Sequence, residues 1–379
     1  MKFISLQENL KRGLNTVGHI TSKNINLPIL SSVLIRALDG NLELISTNLE
    51  IGIVYRLRGK VEVDGEVAVD SKLVSEYVSL LKGDDKVLVD SDENNLKIES
   101  GVYKTTIKGE LSKDFPLIPT IPRKNKYSCK VLDFRKALNR VVFAVSNNEN
   151  RTELTGVLFS FNGPELTLAA TDSYRLAEKI LEVRFFSDNE LGDVSENKLI
   201  VPAKTVQELL RILNNLNEAT ISEDEVIDIY TSENQILFIA DSMELISRLI
   251  NGQYPDYKQI IPNQIKTTST TDKQELVRAT KAAALFSRTG INDITLKFSK
   301  NKIVVSASSS ASGESRTEVD ASTSGDENEI TINFKYLLDG LNNIDSPNVK
   351  ISLINSNTPC LLEPEKNDKQ LYIVMPIHQ

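Results

Sequence analysis

One six-residue pattern occurs three times in this chain, at a spacing the size of a domain. Val69-Asp-Ser-Lys-Leu-Val recurs as Val201-Pro-Ala-Lys-Thr-Val and as Ile332-Asn-Phe-Lys-Tyr-Leu. The aligned lysines are Lys72, Lys204 and Lys335, separated by 132 and 131 residues. An interval of that length accommodates one compact domain. The chain therefore reads as three copies of one unit, each presenting a lysine from the same helix position.

Helical periodicity appears in six segments. Residues 6–20 carry Leu6, Leu10, Leu14 and Val17 on one face, and 71–82 carry Leu73, Val74, Tyr77, Val78 and Leu81. The same spacing predicts helices over 131–146, 203–216 (ending on Leu216), 272–287 and 333–344. Between them lie short alternating runs such as Leu42-Glu-Leu-Ile, Glu165-Leu-Thr-Leu and Lys302-Ile-Val-Val. These read as half-buried strands joined by tight turns at Asp39-Gly and Asn162-Gly. Each third of the chain is thus helix, strands, helix, strands. Two amphipathic helices need an apolar sheet to cover, so the expected class is α+β, with both helices of each unit on one side of antiparallel sheet.

Proline-rich stretches mark the joints. Pro116, Pro119 and Pro122 precede the second unit, and Pro255 to Pro262 precede the third. The expected domains are 1–124, 125–262 and 263–379. The Ser-rich stretch Ser306 to Asp326 reads as two small-residue strands with a turn near Ser312-Gly313, because Ile303, Val305 and Ala307 alternate into it. The repeat extends to the first helix of each unit. Aligning Leu10, Phe134 and Leu276 brings Arg12, Lys136 and Arg278 together. Both helices of every unit then carry a cation beside their apolar stripe.

The formal net charge is −8, whereas a nucleic-acid-binding domain is usually basic. Binding depends on where charge sits and not on the sum. Two cysteines, Cys129 and Cys360, form no framework and point to a reducing compartment. The N-terminal segment turns polar before a signal-peptide core can form, and no apolar run approaches a membrane span. The reading is a cytoplasmic protein without a membrane partner. His19 and His378 cannot make a metal cluster with the distant cysteines. No phosphate loop, dinucleotide loop or nucleophile–base motif is present. The acidic clusters Asp84-Asp85 and Glu223-Asp224-Glu225 sit in turn-like settings. No catalytic residues, metal or cofactor are expected, and a binding role leads.

Four peptides are more specific than the periodicity: Leu27-Pro-Ile-Leu30, Thr171-Asp-Ser-Tyr-Arg-Leu-Ala177, Arg248-Leu-Ile-Asn-Gly-Gln-Tyr-Pro-Asp-Tyr257 with Ile261-Pro262, and Leu371-Tyr-Ile-Val-Met-Pro-Ile377. In this order and spacing the chain resembles the bacterial sliding clamps, the beta subunits of DNA polymerase III. The resemblance implies a head-to-tail homodimer of three-domain subunits, closed as a ring around double-stranded DNA, with helices lining the hole. It implies no enzymatic activity, and a replisome location. Arg12, Lys72, Lys136, Lys204, Arg278 and Lys335 are the candidate DNA-facing cations.

The resemblance also implies an apolar pocket that takes short peptides, rich in leucine and phenylalanine, from the replicative polymerase, the clamp loader and repair proteins. The matching positions are Leu154, Thr171, Tyr174, Arg175, Leu176, Pro255, Gln259, Ile260, Tyr336, Ile373, Met375 and Pro376. Tyr174 stands where the family often has His, Gln259 where Arg is common, and His378 where Arg often follows the last Met-Pro pair. Asn24 replaces a frequent arginine, with Lys23 adjacent. A less basic pocket follows. For the dimer contact the resemblance points to Thr105 and Ile107 on one side, and to Leu285 and Phe286 on the other. Two rival readings are a repeat scaffold that never closes a ring, and an enzyme using the polar cluster Thr171, Asp172, Tyr174 and Arg175.

Overall fold

The computed structural model describes residues 1–21, 26–83, 85–92, 94–187, 196–215, 224–366 and 368–377. Lys23, Asn24, Asp84, Leu216, Glu223 and His378 lie outside them. The first repeat runs β1 (Lys2–Leu6), α1 (Gln7–Gly18), β2 (Ser32–Leu38), β3 (Asn41–Thr47), β4 (Ile51–Arg56), β5 (Gly59–Val63), β6 (Gly65–Asp70), α2 (Ser71–Ser79), β7 (Lys86–Asp92), β8 (Asn95–Ser100) and β9 (Tyr103–Glu110). The second runs β10 (Asn125–Lys130), α3 (Val131–Val142), β11 (Gly156–Asn162), β12 (Glu165–Thr171), β13 (Arg175–Glu182), β14 (Arg184–Ser187), β15 (Asn197–Pro202), α4 (Ala203–Asn215), β16 (Val226–Thr231), β17 (Gln235–Ala240) and β18 (Met243–Arg248). The third runs β19 (Thr267–Asp272), α5 (Lys273–Ala284), β20 (Asp293–Ser299), β21 (Lys302–Ser309), β22 (Gly313–Gly325), β23 (Asn328–Asn333), α6 (Phe334–Asn342), β24 (Asn348–Leu353), β25 (Cys360–Pro364) and β26 (Gln370–Val374). The element order is the same three times, except that β22 runs uninterrupted where the earlier repeats break into two strands.

The Ser-rich stretch is therefore two paired strands, β21 and β22, turning just before Gly313. The second helix of repeats one and three starts where a side chain replaces a missing backbone acceptor. Asp70 Oδ1 accepts from Leu73 N at 2.7 Å, and Asn333 Oδ1 from Lys335 N at 2.9 Å. The apolar stripes face inward: Leu10, Leu14 and Val17 on α1, Leu209 and Leu213 on α4, and Leu337 and Leu341 on α6 are buried. Three positions assigned to the stripes by spacing are exposed: Leu6 ends β1, Leu73 lies beside Lys72 on the outer flank of α2, and Leu285, within the helix predicted over 272–287, falls just past the end of α5.

Two compact units result, each built on one continuous sheet. In the first, the order is β14-β10-β16-β17-β18-β4-β3-β2-β6-β9-β8-β7-β1-β5. In the second it is β15-β11-β12-β13-β26-β25-β24-β19-β22-β21-β20-β23. The middle repeat contributes strands to both. In each sheet one antiparallel seam joins consecutive repeats by the same rule: the third strand after a repeat's first helix pairs with the last strand of the next repeat. These seams are β4–β18, with Ile53 opposite Leu245, and β13–β26, with Leu176 opposite Ile373.

Candidate functional site

The turn between β12 and β13 is built by its own side chains. Thr171 Oγ1 donates to the Arg175 carbonyl at 2.6 Å and accepts from Ser173 N at 3.1 Å. Asp172 Oδ1 accepts from the backbone of Tyr174 and of Arg175, at 2.9 and 3.0 Å. Asx residues favour such turns because their oxygen can stand in for a backbone acceptor. Ser173 takes a positive φ of 77°. The β3–β4 turn of the first repeat has the same set: Thr47 to the Ile51 carbonyl at 3.0 Å, Leu49 N to Thr47 at 3.0 Å, Glu50 and Ile51 N to Asn48 at 3.1 and 2.8 Å, and a φ of 76° at Leu49. The polar cluster of repeat two is thus a repeated turn, and its threonine hydroxyl and aspartate oxygen serve the backbone.

Arg175 is held just as firmly. Its guanidinium pairs with Asp172 Oδ2 at 3.0 Å and with Asp339 of α6, and donates to the Phe143 carbonyl at 3.0 Å. It lies 4.8 Å from the Tyr336 ring centroid and 5.6 Å from that of Phe143, within cation–π range. An arginine so engaged is a structural brace that ties β13 to α6 and to the residue that follows α3. Tyr174, turned outward and 62% exposed, stacks on Tyr336 with ring centroids 6.2 Å apart. The Tyr174 carbonyl accepts from Met375 N at 2.9 Å, which brings the C-terminal strand alongside.

The floor of the site is a cluster of Leu158, Ala169, Leu176, Tyr257, Leu361 and Ile373, with Tyr254, Ile261, Leu371 and Met375 packed against it. The twelve pocket positions expected from the resemblance divide accordingly. Leu154, Thr171, Leu176 and Ile373 are buried, Arg175, Pro255, Tyr336, Met375 and Pro376 are half-buried, and Tyr174, Gln259 and Ile260 are exposed. A floor of aliphatic side chains rimmed by two tyrosines and an adaptable methionine suits an apolar peptide anchor. Sequence reasoning did not single out Asp339, Phe143, Tyr254, Tyr257 or Glu178. Both tyrosines lie inside the Arg248–Tyr257 peptide, but nothing local to that peptide tells which of its aromatics turns inward.

The first seam carries the same frame: Ile118 of the linker lies over Gly52, where an added Cβ would come within 3.0 Å of its Cδ1, and a cavity of about 560 Å³ lies beside it, lined by Leu34, Ile45, Val54, Ile118 and Ile246.

All six repeat-related cations, Arg12, Lys72, Lys136, Lys204, Arg278 and Lys335, are exposed. Within the first unit α1 and α2 lie side by side, joined by Ser75 Oγ to Asn15 Oδ1 at 3.3 Å. Lys72 approaches Glu76 at 3.8 Å and Arg278 pairs with Glu275. Exposed i,i+4 or i,i+3 pairs of this kind are weak and leave the cations available. The four proposed dimer residues divide between two elements. Thr105 and Ile107 lie on β9, half-buried and buried, while Leu285 at the end of α5 is 76% exposed beside half-buried Phe286. Among the described residues no group of three His, Cys, Asp or Glu side chains could hold a metal ion, and no helix is long and apolar enough to cross a membrane. Cys129 and Cys360 are free and buried.

Three like repeats of two helices on antiparallel sheet, with an apolar cluster at the second seam, define a three-domain clamp fold. Family models for the DNA polymerase III beta subunit match along the chain: the N-terminal domain at residues 1–119, the central domain at 129–256 and the C-terminal domain at 258–378. A beta sliding clamp of Staphylococcus aureus is 30% identical over 389 residues, covering all of this chain and 99% of the relative. Among solved structures, the DNA polymerase III subunit beta from Pseudomonas aeruginosa is 28% identical with a TM-score of 0.90, each chain fully covered. A Pseudomonas aeruginosa sliding clamp bound to griselimycin is 27% identical, again over both whole chains, with a TM-score of 0.92. The chain belongs to the DNA polymerase III beta subunit family, the beta sliding clamps.

Proposed function

We propose that this chain is a non-catalytic processivity clamp: two copies close head to tail around duplex DNA and tether the replicative polymerase. The observation that carries the reading is a pair of unmatched strand edges. Repeat one meets repeat two through β4–β18, and repeat two meets repeat three through β13–β26. The next seam in that series would join β22 to a β9. Among the described residues, Gly313–Asp320 of β22 pair only with β21, and Tyr103–Lys108 of β9 only with β8. Exposed edges of this kind are templates for another chain, and using both closes a two-fold ring with nothing left to propagate.

The helix ends support the same series. His19 follows α1 and meets Glu208 of α4 at 2.7 Å. Phe143 follows α3, and its carbonyl meets Arg175, which holds Asp339 of α6. Leu285 occupies the corresponding position after α5, and Glu76 of α2 corresponds to Glu208 and Asp339. Leu285 and Phe286 would then pack against α2 of a second copy, beside Thr105 and Ile107.

In the closed ring the six cations would face phosphates without reading sequence, so DNA is held by enclosure. The groove around Leu176, Tyr174 and Met375 would receive apolar peptide tails of the polymerase, the ATP-driven loader and repair proteins. Thr171, Asp172 and Arg175, being engaged in the turn and brace, supply no catalytic group, and the chain would need no metal or cofactor. The domain bounds 1–124, 125–262 and 263–379 and a cytoplasmic, replisome location belong to this proposal.

The test is topological. Protein loaded on nicked circular DNA should stay bound through a high-salt wash and dissociate once the circle is cut. Release from intact circles at the same rate as from linear DNA would overturn the ring.

A further inference from the structure

Glu178 is a charged residue where the repeat has an aliphatic one. It follows Leu176 by two positions on β13 and so shares its sheet face, and only 7% of it is exposed. The corresponding residue of β4 is Val54, which packs against the same apolar cluster as Ile118 of the first linker. On the second seam the linker instead presents Tyr257, whose ring lies in the groove's floor with Leu176 and Ile373 and whose hydroxyl donates to Glu178 Oε2. A valine and an isoleucine have become a buried glutamate and tyrosine.

The segment that Tyr257 anchors has few other ties. Tyr257 N to the Pro255 carbonyl, Ile261 N to the Lys258 carbonyl and Gln259 Nε2 to Asp256 Oδ2 are all internal to it. Among the described residues, its hydrogen bonds to the sheet come from two hydroxyls, Tyr257 to Glu178 and Tyr254 to the Ala169 carbonyl at 3.4 Å. Pro255, Gln259 and Ile260 flank Tyr257 in that segment and would form one wall of the proposed groove. Burial pushes the Glu178 carboxyl above its usual range and the Tyr257 phenol well above its own. Each group therefore relies on the other to stay dry.

We infer that Glu178 and Tyr257 are a positioning pair: their buried hydrogen bond sets the wall Pro255–Ile260 and thereby the groove's affinity for an apolar peptide, without the carboxylate or the phenol hydroxyl touching that peptide. The inference rests on the peptide-groove reading above. Removing one partner leaves the other buried and unsatisfied, which costs more than the bond itself contributed, whereas replacing both by apolar groups is close to neutral. The signature is thus non-additivity.

The full-length protein would be titrated against a fluorescein-labelled peptide ending in Leu-Phe, with circular dichroism confirming the fold of each variant. Tyr257→Phe and Glu178→Val should each weaken binding roughly tenfold, the scale of one lost charge-assisted hydrogen bond. Glu178→Gln, which keeps an acceptor, should stay near wild type. The Glu178→Val/Tyr257→Phe double variant should recover most of the loss. Backbone amides of residues 254–261 should exchange faster in the two single variants only. Wild-type affinity in both single variants, or losses that simply add in the double variant, would overturn the positioning pair and leave the groove standing. A wild-type protein that does not bind the peptide would overturn the groove and the pair together.

Discussion

At the scale of single residues, the polar groups of this chain act mainly on their own backbone. Thr171 and Asp172 looked like the material of an active site because two oxygens and an arginine stood close in sequence. Their counterparts Thr47 and Asn48 make the same bonds in a repeat that has no Arg175. The motif was legible in the sequence, but its role was not, since a turn and a catalytic dyad use the same residue types. Glu178 was not legible at all: a glutamate among Leu-Ala-Glu-Lys reads as solvated, and only the linker folded over it makes it buried. Its carboxyl is raised chiefly by burial, with the Tyr257 bond and Lys258 pulling the other way. A carboxyl whose folded pKa exceeds the unfolded value of about 4.3 adds stability below that value and loses it as pH rises through the folded one. Glu178→Gln removes this dependence. Chemical denaturation from pH 4 to 8 should show the variant gaining on wild type as pH rises. A constant difference across that range would show that Glu178 pays no burial penalty on ionising.

At the scale of elements, the helices were the easiest part to read because a 3.6-residue period with buried leucines admits few alternatives. The errors were at the ends, where Leu6, Leu73 and Leu285 matched the period but fell at a strand end, on a helix flank and past a helix C-terminus. A second requirement lies on α6, where Gly340 is neither a turn nor a cap. A Cβ there would lie 2.2 Å from Tyr372 Cε1. Tyr372 is 1% exposed and donates to the Tyr336 carbonyl at 2.8 Å, so the helix is drawn onto β26 at that point. Alanine is the better helix former by about 1 kcal/mol, yet overpacking of this kind costs about 1–3 kcal/mol. Gly340→Ala should therefore lower stability, with the urea midpoint falling and its slope unchanged. An unchanged or higher midpoint would mean that Tyr372 has room to move.

At the scale of the whole molecule, the repeat makes a register prediction for the proposed dimer. In both observed seams the register follows the same strand positions, Ile51 opposite Ser247 and Arg175 opposite Val374. Carried to the third seam, it sets Thr105 of one copy opposite Ser315 of the other, and Ile107 opposite Gly313. Thr105→Cys with Ser315→Cys should give a covalent dimer on a non-reducing gel under mild oxidation, lost on adding reductant. A cross-link with Ser315 moved by one residue, but not at Ser315 itself, would show a slipped register. Periodicity, turn residues and internal repetition were enough to determine, from the sequence alone, that there are three helix–strand units, where their helices lie and which cations they share, because those are local properties of the chain. Only the tertiary structure decided which strand edges stay open, that Tyr257 of the second linker meets a buried Glu178, and that Ile118 of the first lies over Gly52. Those outcomes depend on side chains that meet across a fold and are distant in sequence.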